Sequence, residues 1–205
     1  LDCQWLQRLH TYGLLSGSFR PEDSICVLRS YWRHRDNLIR YVAAHVQHMQ
    51  KALTEMNIQL HKAISDITGL TGMRIIRAIL AGERDRVKLA QMRDPRIKSS
   101  AETISKALEG DYRQEHLFAL KQAVELYDFY QQQIKACDQQ IEAYLCQLDS
   151  KVELQSTPIP RSKRLKRKPK GNEPHFDLGT HLYRITGVDF TKIDGLNVLN
   201  VPTII

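Results

Sequence analysis

An all-α fold, built on a long antiparallel coiled-coil hairpin, is predicted by three features of the sequence. These are a sustained apolar repeat over residues 25 to 67, a second over 117 to 148, and a shortage of turn formers. Of the 205 residues 42% are apolar but only 7% aromatic, with 10 Gly and 7 Pro, a mixture suited to long helices rather than to a sandwich or barrel. Such a length can bury one core and part of a second. The apolar runs fall far short of the roughly 18 residues a membrane span needs, so a soluble chain with no membrane partner is expected.

The first element, within residues 1 to 20, begins LDCQWLQRLH. Leu1, Trp5, Leu9 and Tyr12 recur at helical spacing with Leu6 beside them, so a stripe of large apolar groups faces a neighbour. One acid, Asp2, stands at the start of that stripe. From Ile25 the steps alternate between three and four: Ile25, Leu28, Trp32, Arg35, Ile39, Val42, Val46, Met49, Leu53, Met56, Leu60, Ala63 and Ile67. A period of 3.5 residues held this long predicts a coiled-coil helix, opened by Pro21 with Glu22 and Asp23 near the positive end of its dipole. At ~1.5 Å per residue it would run on the order of 65 Å. Arg35 is the polar intruder, placed to set register or to meet an acid across the interface.

Residues 68 to 111 read as a small helical cap on that hairpin. Gly69 is expected to close the long helix, Met73 to Ala81 to form a helix ended by Gly82, and Ser99 with Glu102 to box a third that stops at Gly110. Asp111 and Gln114 then resemble a capping box ahead of a helix from about Tyr112 to Asp149, with Leu117, Leu120, Val124, Ile134, Ile141 and Leu145 on its stripe. The two long helices could pair within one chain or between chains. Thus residues 21 to 150 form the arm, 151 to 175 a Pro-, Ser- and Lys-rich linker, and 176 to 205 a further module.

The charge is unevenly distributed. Lys and Arg exceed Asp and Glu by 30 to 23, and Arg161, Lys163, Arg164, Lys166, Arg167, Lys168 and Lys170 lie within ten residues that hold no acid. This run carries the whole surplus, which points to a polyanion; a solvated linker would share the composition. DITGLTGMRIIRAIL, residues 66 to 80, adds Gly69 and Gly72 ahead of Arg74 and Arg77, a Gly turn into a helix N-terminus of the kind that presents N–H groups to phosphate. ITGVDFTKIDGLNVLNVPTII, residues 185 to 205, places Gly187 and Gly195 similarly. Cys3, Cys26, Cys137 and Cys146 form no CxxC and read as free thiols of a reducing cytosol. His45 and His48, three apart without a third ligand, read as surface histidines of the coiled coil. No Ser/His/Asp set, Cys/His set or phosphate loop is present in the sequence.

The strings LDCQWLQRLHTYGLL, GLTGMRIIRAILAGERD, ALEGDYRQEHLFALKQAVELYDFYQQQI and THLYRITGVDFTKIDGLNV, in this order around a long coiled coil, resemble the DEDD transposases of the insertion-sequence one-ten family. These are DNA recombinases guided by a structured bridge RNA, and the likeness covers essentially the whole chain. The resemblance implies an N-terminal RuvC-like domain of RNase H fold that binds Mg²⁺ through four acids. It also implies a coiled-coil arm through which subunits assemble, and a C-terminal helical transposase domain whose serine links covalently to DNA. Asp2, with Cys3 and the helix through Leu9, matches the family's last acid and would be both a catalytic and a metal-binding residue. The other three acids would precede residue 1 and the serine would follow Ile205.

On that reading residues 1 to 20 are the last helix of the nuclease-like domain and residues 176 to 205 the start of the transposase domain. The chain alone is then expected to bind nucleic acid, to hold no Mg²⁺ and to join no DNA, in a bacterial cytoplasm close to the nucleoid. Mg²⁺ takes several carboxylate oxygens at ~2.0–2.1 Å, which an Asp at a helix start can help supply; an acid in a first turn also simply favours the dipole. The sequence departs from the family where Asn197 replaces the second Gly of a G-x-G turn and Pro202 enters the following helix. A second reading is a coiled-coil interaction protein without catalysis.

Overall fold

The structure, a computed structural model, describes residues 2–16, 20–153 and 171–205. Among these residues it is all-helical, with no strand. A ten-residue helix, α1 (Asp2–Thr11), comes first, and its apolar stripe stays in solvent: Trp5 is 60% and Tyr12 75% exposed, and none of its residues is buried.

The first long helix is α2 (Asp23–Glu55), and it packs antiparallel against the second, α7 (Gln114–Gln147). The hairpin is thus made within one chain. Leu28, Trp32, Met49 and Leu53 of the predicted repeat are buried on the seam, facing Leu117, Leu120, Val124, Ile134, Ile141 and Leu145. Arg35 falls on the same seam at 2% exposure and meets Asp138, also 2% exposed: its Nε donates to Oδ1 at 2.5 Å and its Nη2 to Oδ2 at 3.4 Å. Elsewhere Tyr144 Oη donates to the Ser24 carbonyl at 2.9 Å, and His116 Nδ1 lies 3.2 Å from Glu55 Oε2. Together these contacts define an antiparallel register from end to end.

The long helix is shorter than its repeat predicts. It stops at Glu55 because Asn57 turns left-handed, φ 59°, so that its N–H reaches the Thr54 carbonyl at 2.8 Å while the Ile58 N–H reaches that of Leu53 at 2.8 Å. This paired closure satisfies the last carbonyls of the helix, and buried Ile58 and Leu53 supply the apolar groups that commonly accompany it. Met56, Leu60, Ala63 and Ile67 remain buried, but in a new direction: Leu60 and Ala63 in the short α3 (Leu60–Ala63), the others in the connecting turns. The apolar period continued while the helix did not.

The cap follows as α4 (Leu70–Leu80), α5 (Arg86–Gln91) and α6 (Ala101–Ala107). Gly69 is the residue before α4, φ −68° and ψ 171°, and so opens a helix where it was expected to close one. Gly82, φ 100°, does end α4 as predicted. The expected Ser99 cap is displaced by one residue: Ser100 Oγ accepts from the Thr103 N–H at 3.1 Å, while Ser99 Oγ donates to the Ala63 carbonyl at 2.5 Å. No box forms at Asp111 either, whose N–H is used by the Met56 carbonyl at 2.9 Å, and α7 begins after Arg113. Two glycines are required by proximity. A Cβ on Gly72 would fall 2.1 Å from the Ile67 carbonyl oxygen and one on Gly110 2.2 Å from that of Met56, both backbone atoms that cannot swing away.

The C-terminal residues form α8 (Leu178–Thr186), a 3₁₀ turn at Phe190–Lys192 and α9 (Val201–Ile204). Leu178, Leu182, Ile185 and Val201 join Leu28, Trp32, Ile141 and Leu145 in a core at the base of the hairpin, distinct from the core under the cap. Arg184 Nη1 donates to the Leu148 carbonyl at 2.7 Å and to Ser150 Oγ at 2.6 Å, and its Nη2 donates to the Leu145 carbonyl, so a cation sits at the negative end of α7. Arg29 Nη2 does the same for α9, reaching the carbonyls of Ile204 and Ile205 at 2.9 and 3.0 Å. Asn197 Oδ1 accepts the Leu199 and Asn200 N–H groups at 2.8 and 3.1 Å, which gives the residue that departs from a G-x-G turn a structural task.

A buried pair broken on one side leaves an unneutralised charge, so Asp138→Ala or Arg35→Ala is expected to lower stability by about 3–5 kcal/mol, whereas replacing both with Leu or Met restores most of it. Urea unfolding of the two singles and the double measures this. Gly110→Ala should cost about 1–3 kcal/mol through the forced shift at Met56, read in the same assay.

Candidate nucleic-acid interface

Several charged groups of the cap are paired with one another. Arg86 meets Glu109 at 2.8 Å, Lys106 meets Glu102 at 3.0 Å, and Arg96 meets Asp94 at 2.8 Å. Such exposed pairs add little stability, but they do cancel field. Arg77 belongs with them: its Nη2 holds both oxygens of Asp128 on α7, at 2.8 and 3.0 Å, and fastens the cap to the hairpin. Arg74, on the same helix, is exposed and in no ion pair within 4.0 Å among the described residues. Of the two arginines expected to face phosphate, one is spent on a carboxylate and the other is left to solvent.

The glycines ahead of them act through packing. Gly72 lets α4 press on the backbone at Ile67, and the neighbouring Thr71 Oγ1 accepts the Asp94 N–H at 2.8 Å. That bond ties the start of α4 to the loop after α5. The run from Arg161 to Lys170 lies outside the described residues. The residues on either side of that stretch are anchored: the Lys151 N–H donates to the Arg184 carbonyl at 2.9 Å, and Pro174 is buried.

Asp2 sits in the exposed first turn of α1, where its charge suits the dipole. Among the described residues no three His, Cys, Asp or Glu side chains converge as metal ligands. One carboxylate is too few for Mg²⁺, so the described residues by themselves do not fit that ion. The four cysteines are free thiols, and burial pushes that of Cys137 upward, which makes it unreactive.

His45 and His48 do adjoin, ring centroids 5.6 Å apart, but His45 is stacked on Tyr130 at 5.4 Å. Burial, and then the neighbouring His48, hold the His45 pKa below its usual value, and its Nδ1 is buried with no partner. His181, in α8 against Phe176, is lowered too, by burial and then by Arg184, with Glu142 and Asp177 acting the other way.

Two groups escaped the sequence reading. Asp138 breaks the stripe of α7 between Cys137 and Ile141, and an acid there is the signal that could have named the partner of Arg35. RDPRIK, residues 93 to 98, holds three cations beside the start of α4, and only the fold shows that adjacency. Comparison with family models, with curated proteins and with solved structures finds no match to this chain. Among the described residues no helix is long and apolar enough to cross a membrane.

A histidine lowered in the fold contributes stability that is complete above its unfolded value near 6.5 and is lost as pH falls through the folded value. The urea midpoint is therefore expected to drop between pH 7.5 and 5, and to drop less in His45→Gln and His181→Gln.

Proposed function

We propose that this chain is the nucleic-acid-binding arm, with its adjoining segments, of a DEDD-type DNA transposase of the insertion-sequence one-ten family. The observation that carries the reading is the concentration of charge in the sequence: seven cations without an acid in residues 161 to 170. The order of family-like strings supports it. The basic run contacts the phosphates of DNA or of a structured guide RNA, and the hairpin acts as a spacer that also joins subunits. Asp2 supplies one of the four acids of the nuclease-like domain. The partially exposed Phe118, Leu126 and Phe129 on α7 favour the second reading, an interaction protein that uses the hairpin to hold other chains.

Phosphate contacts release counterions, so affinity falls with salt at about 0.7–0.9 log units per log unit of salt for each contact. Binding of the chain to labelled duplex DNA and to RNA hairpins is expected to weaken at least a hundredfold between 50 and 200 mM salt. Replacing the seven cations of 161 to 170 with Gln should remove most of that dependence. Affinity that ignores salt would leave the interaction-protein reading standing. No metal-dependent strand joining is expected of this chain by itself in a Mg²⁺ strand-transfer assay, and product in that assay would contradict the assignment of Asp2 as one of four required acids.

A further inference from the structure

A cleft of about 580 Å³ opens beside the cap, between the turns at 63–71 and 94–99. Its charge is unbalanced in a way the sequence conceals. Arg96 and Lys98 line it. Arg93 Nη1 donates to the carbonyls of Ile97 and Ser99, two of the lining residues, at 3.4 and 3.3 Å. Ser99 Oγ donates to the carbonyl of the lining Ala63, and exposed Lys62 is the residue before it in the chain. Exposed Arg74 stands near enough to Asp94 to act on its charge.

Against these five cations stand two acids, of which Asp94 is paired with a cation and Asp66 is held by neutral donors. Asp66 Oδ1 accepts from the Thr68 N–H at 2.8 Å and from Thr68 Oγ1 at 2.7 Å. Asp94 is held by Arg96, with Oδ1 to Nε at 2.8 Å and Oδ2 to Nη2 at 3.1 Å. Lys62, Arg74 and Lys98 form no ion pair within 4.0 Å among the described residues. A concave surface with surplus, uncommitted cations focuses positive potential.

We infer that this cap cleft is a second phosphodiester-binding site, which grips the backbone of a polynucleotide through Lys62, Arg74 and Lys98. The inference rests on the reading that the chain binds nucleic acid, but it uses residues other than the basic run, on the elements that build the core under the cap. It also revises the expected pair: Arg74 contacts phosphate with Lys62 and Lys98, and Arg77 does not. DNA and RNA share the backbone chemistry, so the site is defined by phosphate and the two are separated by measurement.

The test uses fluorescence anisotropy with the full chain and labelled 20-residue duplex DNA, single-stranded DNA and RNA, across 50 to 200 mM salt. Lys62→Gln, Arg74→Gln and Lys98→Gln combined should weaken at least one of the three probes tenfold or more and lower its salt slope by about 2–3. The probe most affected identifies the natural strand. The charge-keeping set, Lys62→Arg, Arg74→Lys and Lys98→Arg, should bind as the parent does, and both sets should melt as the parent does. If the Gln set melts early, Lys98→Glu alone decides, with at least a threefold loss expected. Parent-like affinity and slope for the folded Gln set would overturn the inference. Loss of all binding on replacing the cations of 161 to 170, with the cap set unchanged, would overturn it while leaving the nucleic-acid reading intact. Absence of salt-dependent binding to all three probes would overturn both.

Discussion

Two charges almost wholly removed from water, Arg35 and Asp138, determine which residue of one long helix lies opposite which residue of the other. Removing a guanidinium and a carboxylate from solvent is costly, and their attraction roughly offsets that cost only when both are in place. The pair therefore contributes little net stability compared with two apolar residues. Its effect is selective. Sliding α7 along α2 by one heptad would part the two charges and leave each without its partner, so alternative registers are penalised more than the native one is favoured. The apolar positions alone, repeating every three or four residues on both helices, would tolerate such a slip.

With the register set, the two ends of the hairpin follow. At one end the closure at Asn57 and the contact between Gly110 and Met56 bring the chain back across the tip in the correct place. At the other, Arg184 and Arg29 satisfy the carbonyl ends of α7 and α9 and draw residues 171–205 onto the base. Each of these is a backbone requirement met by one side chain or by the absence of one.

The hairpin was legible because its cause is local periodicity, which a sequence displays directly. The end of α2 was not: Met56, Leu60, Ala63 and Ile67 keep the helical period, and only the left-handed Asn57 turns them aside. An Asn ahead of Ile-Gln-Leu is a weak stop signal by itself. The cap of α6 was legible to within a residue, since Ser99 and Ser100 are equally suitable and the Ala63 carbonyl decides between them. Arg77 showed the limit on the site side. Its charge was visible, but Asp128, fifty-one residues away, is visible as its partner only in three dimensions. The basic run was legible as composition, which is all a charge count can provide.

The apolar interior is divided in two. One core lies under the cap around Ile75, Leu89 and Leu120, the other at the base around Trp32, Ile141 and Leu182. Between them Ile39, Val42, Val46, Tyr127 and Tyr130 are partly buried rather than fully so. A molecule built this way has a waist, and its two ends need not open together. Local opening free energies follow buried contacts, so amide exchange would separate the hairpin into a tip unit and a base unit, with the exposed α1 exchanging faster than either. The arm would then behave as two stiff segments in series, and the angle between the cap and the base would be the softest coordinate of the fold.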